Sequence, residues 1–242
     1  MRILILADIH ANWPALAAVA AAERYDACLC LGDLVDYGAE PAACIDWVRR
    51  NAPHTVRGNH DHGVAQNVTP LPAASGFKYL TAVSRPVTRA TLGDADVRFL
   101  AGLPVTLGVT FERRRYLLAH ATPRDPLDEY APGEVEFWAR RLDRVEADVV
   151  LVGHTHQQFT LTAAGVRVIN PGSVGVQRDG DPRAGFAILD GDRIELKRVE
   201  YPVEDAVRAV EAGPLPDDAK AMLAEVYRTG KLSNGKGNGP ET

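Results

Sequence analysis

The chain is poor in sulfur, in basic charge and in long apolar runs, and each scarcity closes off a class of protein. Three cysteines, Cys28, Cys30 and Cys44, are too few for a disulfide scaffold. Cys28 and Cys30 alternate with Leu29 and Leu31 on a predicted strand, where neighbours along one strand are badly placed to bridge. They read as buried thiols of a reducing compartment, and a sulfur-ligated zinc site would need more of them. The apolar stretch that opens the chain ends at Asp8, too short for the core of a secretory signal. No run approaches the roughly 20 apolar residues of a membrane-spanning helix. The cytoplasm is the expected location. Lys and Arg number 27 against 32 Asp and Glu, a net charge of -5. Duplex nucleic acid, which calls for a basic face, is not an expected partner.

What remains is a chain of 242 residues, 46% apolar and 24% charged, an ordinary globular balance within the range of one large domain. Ile3 to Leu6 is a near-continuous apolar run, the mark of a central strand covered on both faces, and it stops at Asp8-Ile9-His10. Asn12 can cap a helix over Ala15 to Arg24. A second buried strand, Ala27 to Leu31, stops at Gly32-Asp33, and a helix follows over Glu40 to Arg50. A short strand, His54 to Arg57, stops at Gly58-Asn59-His60-Asp61. This alternation is βαβ organisation.

Beyond it, a helix over Gly76 to Val83 is expected to stop near Pro86, because proline cannot continue the hydrogen-bond ladder. Asp94 to Leu100 forms a further short helix. Strands over Val105 to Phe111 and Arg115 to Ala119 flank a charged turn, and the second delivers His120. A helix is expected over Glu134 to Arg144, then a strand, Val149 to Val152, that ends in Gly153-His154-Thr155-His156. Strands at Phe159 to Leu161 and Val166 to Ile169 lead to Asn170-Pro171-Gly172-Ser173, a tight turn whose backbone donors could line the rim of a crevice. Ala184 to Leu189 and Arg193 to Val199 read as a hairpin in a second sheet, before helices over Val203 to Glu211 and Asp217 to Tyr227. A single domain over 1–229 is expected, followed by a glycine-rich flexible tail over 230–242.

The strand ends share one property. Asp8 and His10, Asp33 and Asp36, Asn59 and His60, His120, then His154 and His156 all follow strands, and these positions hold five of the seven histidines. In open α/β sheets ligands bind beyond the carboxyl ends of the strands. Each fragment has a plain alternative: a turn or helix cap for Asp8 and His10, an Asx turn at Asp33, a left-handed position at Asn59, a hydrogen-bonded imidazole at His120. Taken together they point to one metal site of mixed nitrogen and oxygen ligands, suited to Mn, Fe, Ni, Co or Zn.

In order, the motifs are Asp8-x-His10, Gly32-Asp33-x-x-Asp36-x-Gly38, Gly58-Asn59-His60-Asp61, a lone His120 and Gly153-His154-x-His156. The set resembles the calcineurin-like metallophosphoesterase superfamily, in its small bacterial and archaeal phosphodiesterase-like branch. The resemblance implies a four-layer α-β-β-α sandwich of two mixed sheets flanked by helices, with two divalent transition-metal ions at the sheet edges. It implies that Asp8, His10 and His156 hold the first ion and Asn59, His120 and His154 the second, with Asp33 bridging. Water activated between the ions would attack phosphorus, His60 would point at the leaving group as general acid or as an oxyanion-stabilising cation, and Asp36 would orient His60. A helix cap is the alternative for Asp36.

One departure narrows the substrate. Ser/Thr protein phosphatases of this kind carry Arg after the second aspartate, where this chain has Tyr37. Loss of that fork of donors leans towards small-molecule or nucleotide diesters over phosphoproteins. Tyr37 could donate to phosphate, stack on a base or simply pack. Arg124 and Arg178 are the favoured replacement cations, with Arg57 and Arg183 behind them. The loop from Thr122 to Gly133 follows His120 and is a candidate substrate rim, whereas His62, although it could approach substrate, reads first as a solvated loop residue. The alternatives are a phosphomonoesterase or nucleotide pyrophosphatase with the same centre, or a metal-stabilised binding protein without turnover.

Overall fold

The computed structural model describes residues 1–233. In chain order its elements are β1 (Arg2–Leu6), α1 (Trp13–Ala22), β2 (Ala27–Cys30), α2 (Pro41–Asn51), β3 (His54–Thr55), α3 (Asn59–Ala65), α4 (Gly76–Thr91) and α5 (Asp94–Gly102). There follow β4 (Thr106–Phe111), β5 (Arg114–Ala119), α6 (Val135–Ala139), β6 (Val149–Leu151), β7 (Gln158–Ala163) and β8 (Val166–Pro171). The chain then forms β9 (Ala184–Asp190), β10 (Arg193–Val199), α7 (Val203–Ala212) and α8 (Asp217–Thr229).

Two five-stranded mixed sheets carry the fold, in the orders β10-β9-β1-β2-β3 and β4-β5-β6-β8-β7. In the first, β1, β2 and β3 run parallel. In the second, β5, β6 and β8 run parallel. Side chains alternate across a strand, and β1 shows the consequence. Ile3, Ile5 and Ala7 join Leu29, Leu31, Leu118, Val149 and Leu151 between the sheets. Leu4 and Leu6 point the other way, into a core shared with α1, α2, α4, α7 and α8. A third cluster, around Trp138, Val150, Val152 and Val168, covers the outer face of the second sheet. Three apolar layers therefore separate four layers of structure, the α-β-β-α sandwich. The outermost layer on the Trp138 side is thin, made of α6 and the loops around it.

Four expectations change. The hairpin of β9 and β10 belongs to the first sheet, because β9 pairs antiparallel with β1 from Arg2–Asp190 to Ile5–Ala187. The helix α4 does not stop before Pro86 but runs through it to Thr91. Interior proline costs about 3 kcal/mol, and the burial of Phe77, Leu80, Ser84, Arg85 and Thr88 on one face offsets it. α6 is five residues long instead of spanning Glu134 to Arg144; the chain turns at Arg144, whose φ is 65°. Of the tail expected from Gly230, Gly230 and Leu232 are buried, Leu232 in the outer core, while Lys231 and Ser233 are exposed; residues 234–242 lie outside the described residues. Asn12 caps α1 as expected, accepting from the Ala15 N–H at 3.2 Å.

Candidate metal centre

Five parallel-strand ends deliver the site. Asp8 and His10 follow β1, Asp33 and Asp36 follow β2, Asn59 and His60 open α3 after β3, His120 follows β5, and His154 and His156 follow β6. The backbone there is unusual. Asp8, His10, Asp33, Asp36, Tyr37, His154 and His156 all have positive φ, from 47° to 66°. Such conformations are costly for residues with a Cβ and persist where the surroundings over-determine them, as at functional sites. Here the surroundings are backbone hydrogen bonds between the loops. Asp8 N–H donates to Gly32 O at 3.0 Å, His10 N–H to Asp33 O at 2.9 Å, and Gly153 N–H to His120 O at 2.8 Å.

Ligand atoms of Asp8, His10 and His156 lie within 4.8 Å of one another, as do those of Asp33, His120 and His154, and those of His10, Asp33 and His60. Asp8, His10, Asp33, His60, His120, His154 and His156 are all buried. Asn59 is half-buried, and its Oδ1 lies 3.0 Å from His120 Nε2.

The hydrogen bonding makes these contacts legible as ligand sets. His10 Nδ1 donates to Val35 O at 3.0 Å, and His156 Nδ1 donates to Val176 O. With those protons placed, both Nε2 atoms of the neutral rings are lone-pair acceptors, yet they face each other across 3.2 Å. His120 repeats the pattern. Its Nδ1 donates to Leu31 O at 2.8 Å, and its Nε2 faces Asp33 Oδ2 at 3.2 Å and the Asn59 oxygen. His154 Nε2 is buried without a hydrogen-bond partner. Lone pairs aimed at lone pairs, with an orphaned nitrogen beside them, fit divalent cations between them. Imidazoles held by their second nitrogen are the usual support of such sites.

Without a cation, protons do that work. Burial pushes the Asp8 carboxyl up to about 7. Burial alone would lower His120, but the Asp33 and Asp8 carboxylates outweigh it and lift it to about 10. Burial, with the His120 charge beside it, takes His154 down to about 3.

A family model for the calcineurin-like phosphoesterase superfamily domain matches residues 1–193. The chain belongs to that superfamily. An uncharacterized protein of Methanocaldococcus jannaschii is 30% identical over 241 residues, covering 89% of this chain and 94% of that one. A metallophosphoesterase crystal structure from Sphaerobacter thermophilus is 32% identical, with a TM-score of 0.77 over 93% of this chain and 98% of that one. A hypothetical protein from Pyrococcus horikoshii shares the fold at a TM-score of 0.81 and 20% identity, over 92% of this chain and 97% of the other. The paired triads are thus the metal-dependent active site of a phosphoesterase, built for two metal ions.

Around this phosphoesterase centre, the remaining predicted residues take specific places. Asp36 Oδ2 accepts from His60 Nδ1 at 2.8 Å, and the N-cap position of α2 is Glu40, not Asp36. Tyr37 is fully buried, its ring 4.6 Å from that of His10 and its hydroxyl 3.4 Å from His60 Nε2. Arg178 is half-buried, its guanidinium 4.0 Å above the Phe77 ring, and its charge is felt at Asp8, His10, His154 and His156. Arg124 is exposed on the loop after β5. Arg57 donates to Ala101 O, and Arg183 pairs with Asp181. The turn at Gly172 lies beneath the centre, not on a rim: Val174 and Gly175 N–H donate to Ala7 O and Asp8 O, and Ser173 Oγ donates to Asp8 O.

Two residues at the site escaped the sequence reading. Arg85, buried on α4, donates to Asp36 Oδ2 from Nε at 2.9 Å and Nη2 at 2.7 Å. Gly63 of α3 leaves room for it, since a Cβ there would overlap the guanidinium. Asp61 accepts from the N–H groups of Asp33, Leu34 and Gly58 at 2.8, 2.8 and 3.0 Å, tying the loop after β2 to the start of α3. Its place inside the Gly58 to Asp61 motif was the signal for it. Arg85 had none.

Proposed function

We propose that this phosphoesterase hydrolyses phosphodiesters of small molecules or nucleotides, as a member of the small bacterial and archaeal phosphodiesterase-like branch. The observation that carries the reading is the use already made of the guanidinium nearest His60. Arg85 spends Nε and Nη2 on Asp36, and position 37 offers a phenol in place of a second fork. A monoester dianion asks for such a fork; a diester, with one charge fewer, does not. Relatives along nearly their full length in a bacterium, Sphaerobacter thermophilus, and an archaeon, Methanocaldococcus jannaschii, support the branch.

In this reading Asp8, His10 and His156 would hold one ion, Asn59, His120 and His154 the other, and Asp33 would serve both. Two such ions would supply Lewis acidity to the phosphate oxygens and lower the pKa of water. The protein does the rest. Asp36 accepts from His60 Nδ1, which fixes the ring and leaves Nε2 facing the site. Burial lowers the proton affinity of His60, yet Asp33 and Asp36 outweigh it and raise it. The imidazolium then donates from Nε2 to the departing oxygen. Arg85 competes for the same carboxylate oxygen and keeps Asp36 from holding the proton too tightly. The three cysteines are buried and free, which supports a reducing, cytoplasmic setting. Among the described residues, no helix is long and apolar enough to cross a membrane.

Initial rates on bis(p-nitrophenyl) phosphate and p-nitrophenyl phosphate, with chelator-stripped protein reloaded with Mn²⁺, test the proposal. Faster diester cleavage supports it. Faster monoester cleavage would favour the second reading, a phosphomonoesterase or nucleotide pyrophosphatase clamped by Arg178, whose charge already reaches the centre.

A further inference from the structure

Beside the metal centre lies a cavity of about 290 Å³ that shares Asn59 and His60 with it. We infer that this cavity is the leaving-group subsite, and that it takes an uncharged, ring-bearing alcohol. The inference rests on the hydrolase reading, which places His60 at the departing oxygen.

Besides Asn59 and His60, the cavity is lined by Val68, Pro70 and Leu71 in the segment between α3 and α4, with Leu127 from the loop after β5. Val68 is 48% and Leu71 82% exposed. Among the described residues the large hydrophobic side chains left that open are these two and Val135, so two of three stand on one wall of one cavity. Scattered exposed hydrophobics need no explanation, but paired ones beside a reactive centre form a surface for a ligand.

Charge narrows the ligand. Lys78 and Asp128, both on the wall, carry opposite signs, and Arg85 is engaged by Asp36. The other lining groups that can carry positive charge are His60, already assigned to the departing oxygen, and His62, so an uncharged leaving group suits the cavity better than a second phosphate. Size narrows it further. Whole-ligand pockets run to roughly 300–1,000 Å³, so this one holds part of a substrate, one or two rings. Mostly apolar walls with a few polar groups then fit the base or aryl portion of an alcohol, released as its oxygen takes the proton from His60.

The test is binding of 1-naphthol, which carries no phosphate, to the metal-loaded full chain by isothermal titration, with hydrolysis of bis(p-nitrophenyl) phosphate measured beside it. Leu71→Asp and Val68→Asp lie on exposed positions outside the catalytic machinery, and circular dichroism checks their fold. Saturable naphthol binding, weakened about tenfold by either substitution and unchanged by the control Val135→Asp, is expected, with a matching rise in KM for the diester. No saturable binding, or binding equal in all variants, overturns the subsite. The two readings fail separately. Turnover with a KM indifferent to Leu71 leaves the hydrolase and removes the subsite. Leu71-sensitive naphthol binding without turnover of any ester removes the hydrolase and leaves a ring-binding cavity.

Discussion

The two sheets meet at one metal centre but bring different chemistry to it. The segments after β1, β2 and β3 place every carboxylate there, Asp8, Asp33, Asp36 and Asp61, and the Asn59 amide, with His10 and His60. The loops after β5 and β6 contribute only imidazoles: His120, His154 and His156. The first sheet therefore sets the charge of the centre, and the second completes its coordination. The anchoring differs as well. His10 and His120 are tied through Nδ1 to Val35 O and Leu31 O, both carbonyls of the loop after β2. That single loop orients a histidine from each sheet and supplies Asp33, whose carboxylate lies within reach of histidines from both.

The sharpest way to break this comparison is to remove Asp33. Its Oδ2 lies 3.2 Å from His120 Nε2 and 3.7 Å from His10 Nε2, so Asp33→Ala should cost both ions and bring hydrolysis to background. His154→Ala, on the second sheet, should cost one ion and leave the other. Metal content per chain by mass spectrometry separates the two outcomes; equal losses would mean the sheets are not divided as described. Next in size is His60→Asn. If His60 is a proton donor and not a ligand, kcat falls about 10²- to 10⁴-fold while metal content stays intact. Its position within reach of His10 and Asp33 makes metal loss the outcome that would reassign it.

Most of the first sheet's contribution could be read from the chain alone, because it is local. Ile3 to Leu6 and Ala27 to Leu31 are apolar runs, each terminated by its ligands, and a buried parallel strand has few other ways to look. What could not be read is long-range. The hairpin of β9 and β10 pairs with β1 across more than 180 residues (Arg2 opposite Asp190), and nothing in its own alternation says which sheet it joins. Arg85 was hidden for another reason. Local propensity stops α4 before Pro86, and only packing of Phe77, Leu80 and Thr88 carries the helix through. Its Arg85 thereby reaches Asp36, 49 residues earlier in the chain.

That hidden residue supplies a prediction of intermediate size. Arg85→Met removes one partner of a buried ion pair and leaves the Asp36 carboxylate with His60 alone. Such losses cost about 3–5 kcal/mol, and thermal unfolding should show it as a clear drop in Tm. Arg85→Lys should recover part of the stability. If the methionine variant were as stable as the parent, Arg85 would contribute nothing to holding Asp36.

The smallest effect concerns protons. In the metal-free protein His120 is lifted from its ordinary 6.5 to about 10 by Asp33 and Asp8, against the opposing pull of burial. A raised value stabilises the folded state fully below pH 6.5, and that contribution is lost as pH climbs through about 10. Asp8, raised by burial to about 7, loses its own contribution earlier, between about 4 and 7. Metal requires His120 deprotonated at Nε2, so the ion replaces the proton and the loaded protein is spared the loss. The gain in Tm on adding Mn²⁺ should therefore grow from pH 6.5 to 9. Binding at pH 8 should release about one proton, read as a dependence of titration heat on the ionisation enthalpy of the buffer. His10, His154 and His156, all lowered by burial, are already neutral in that window and add nothing to the slope. A Tm gain flat across it would mean that no proton sits between His120 and Asp33, and that the two sheets face each other at this edge through some other arrangement of charge.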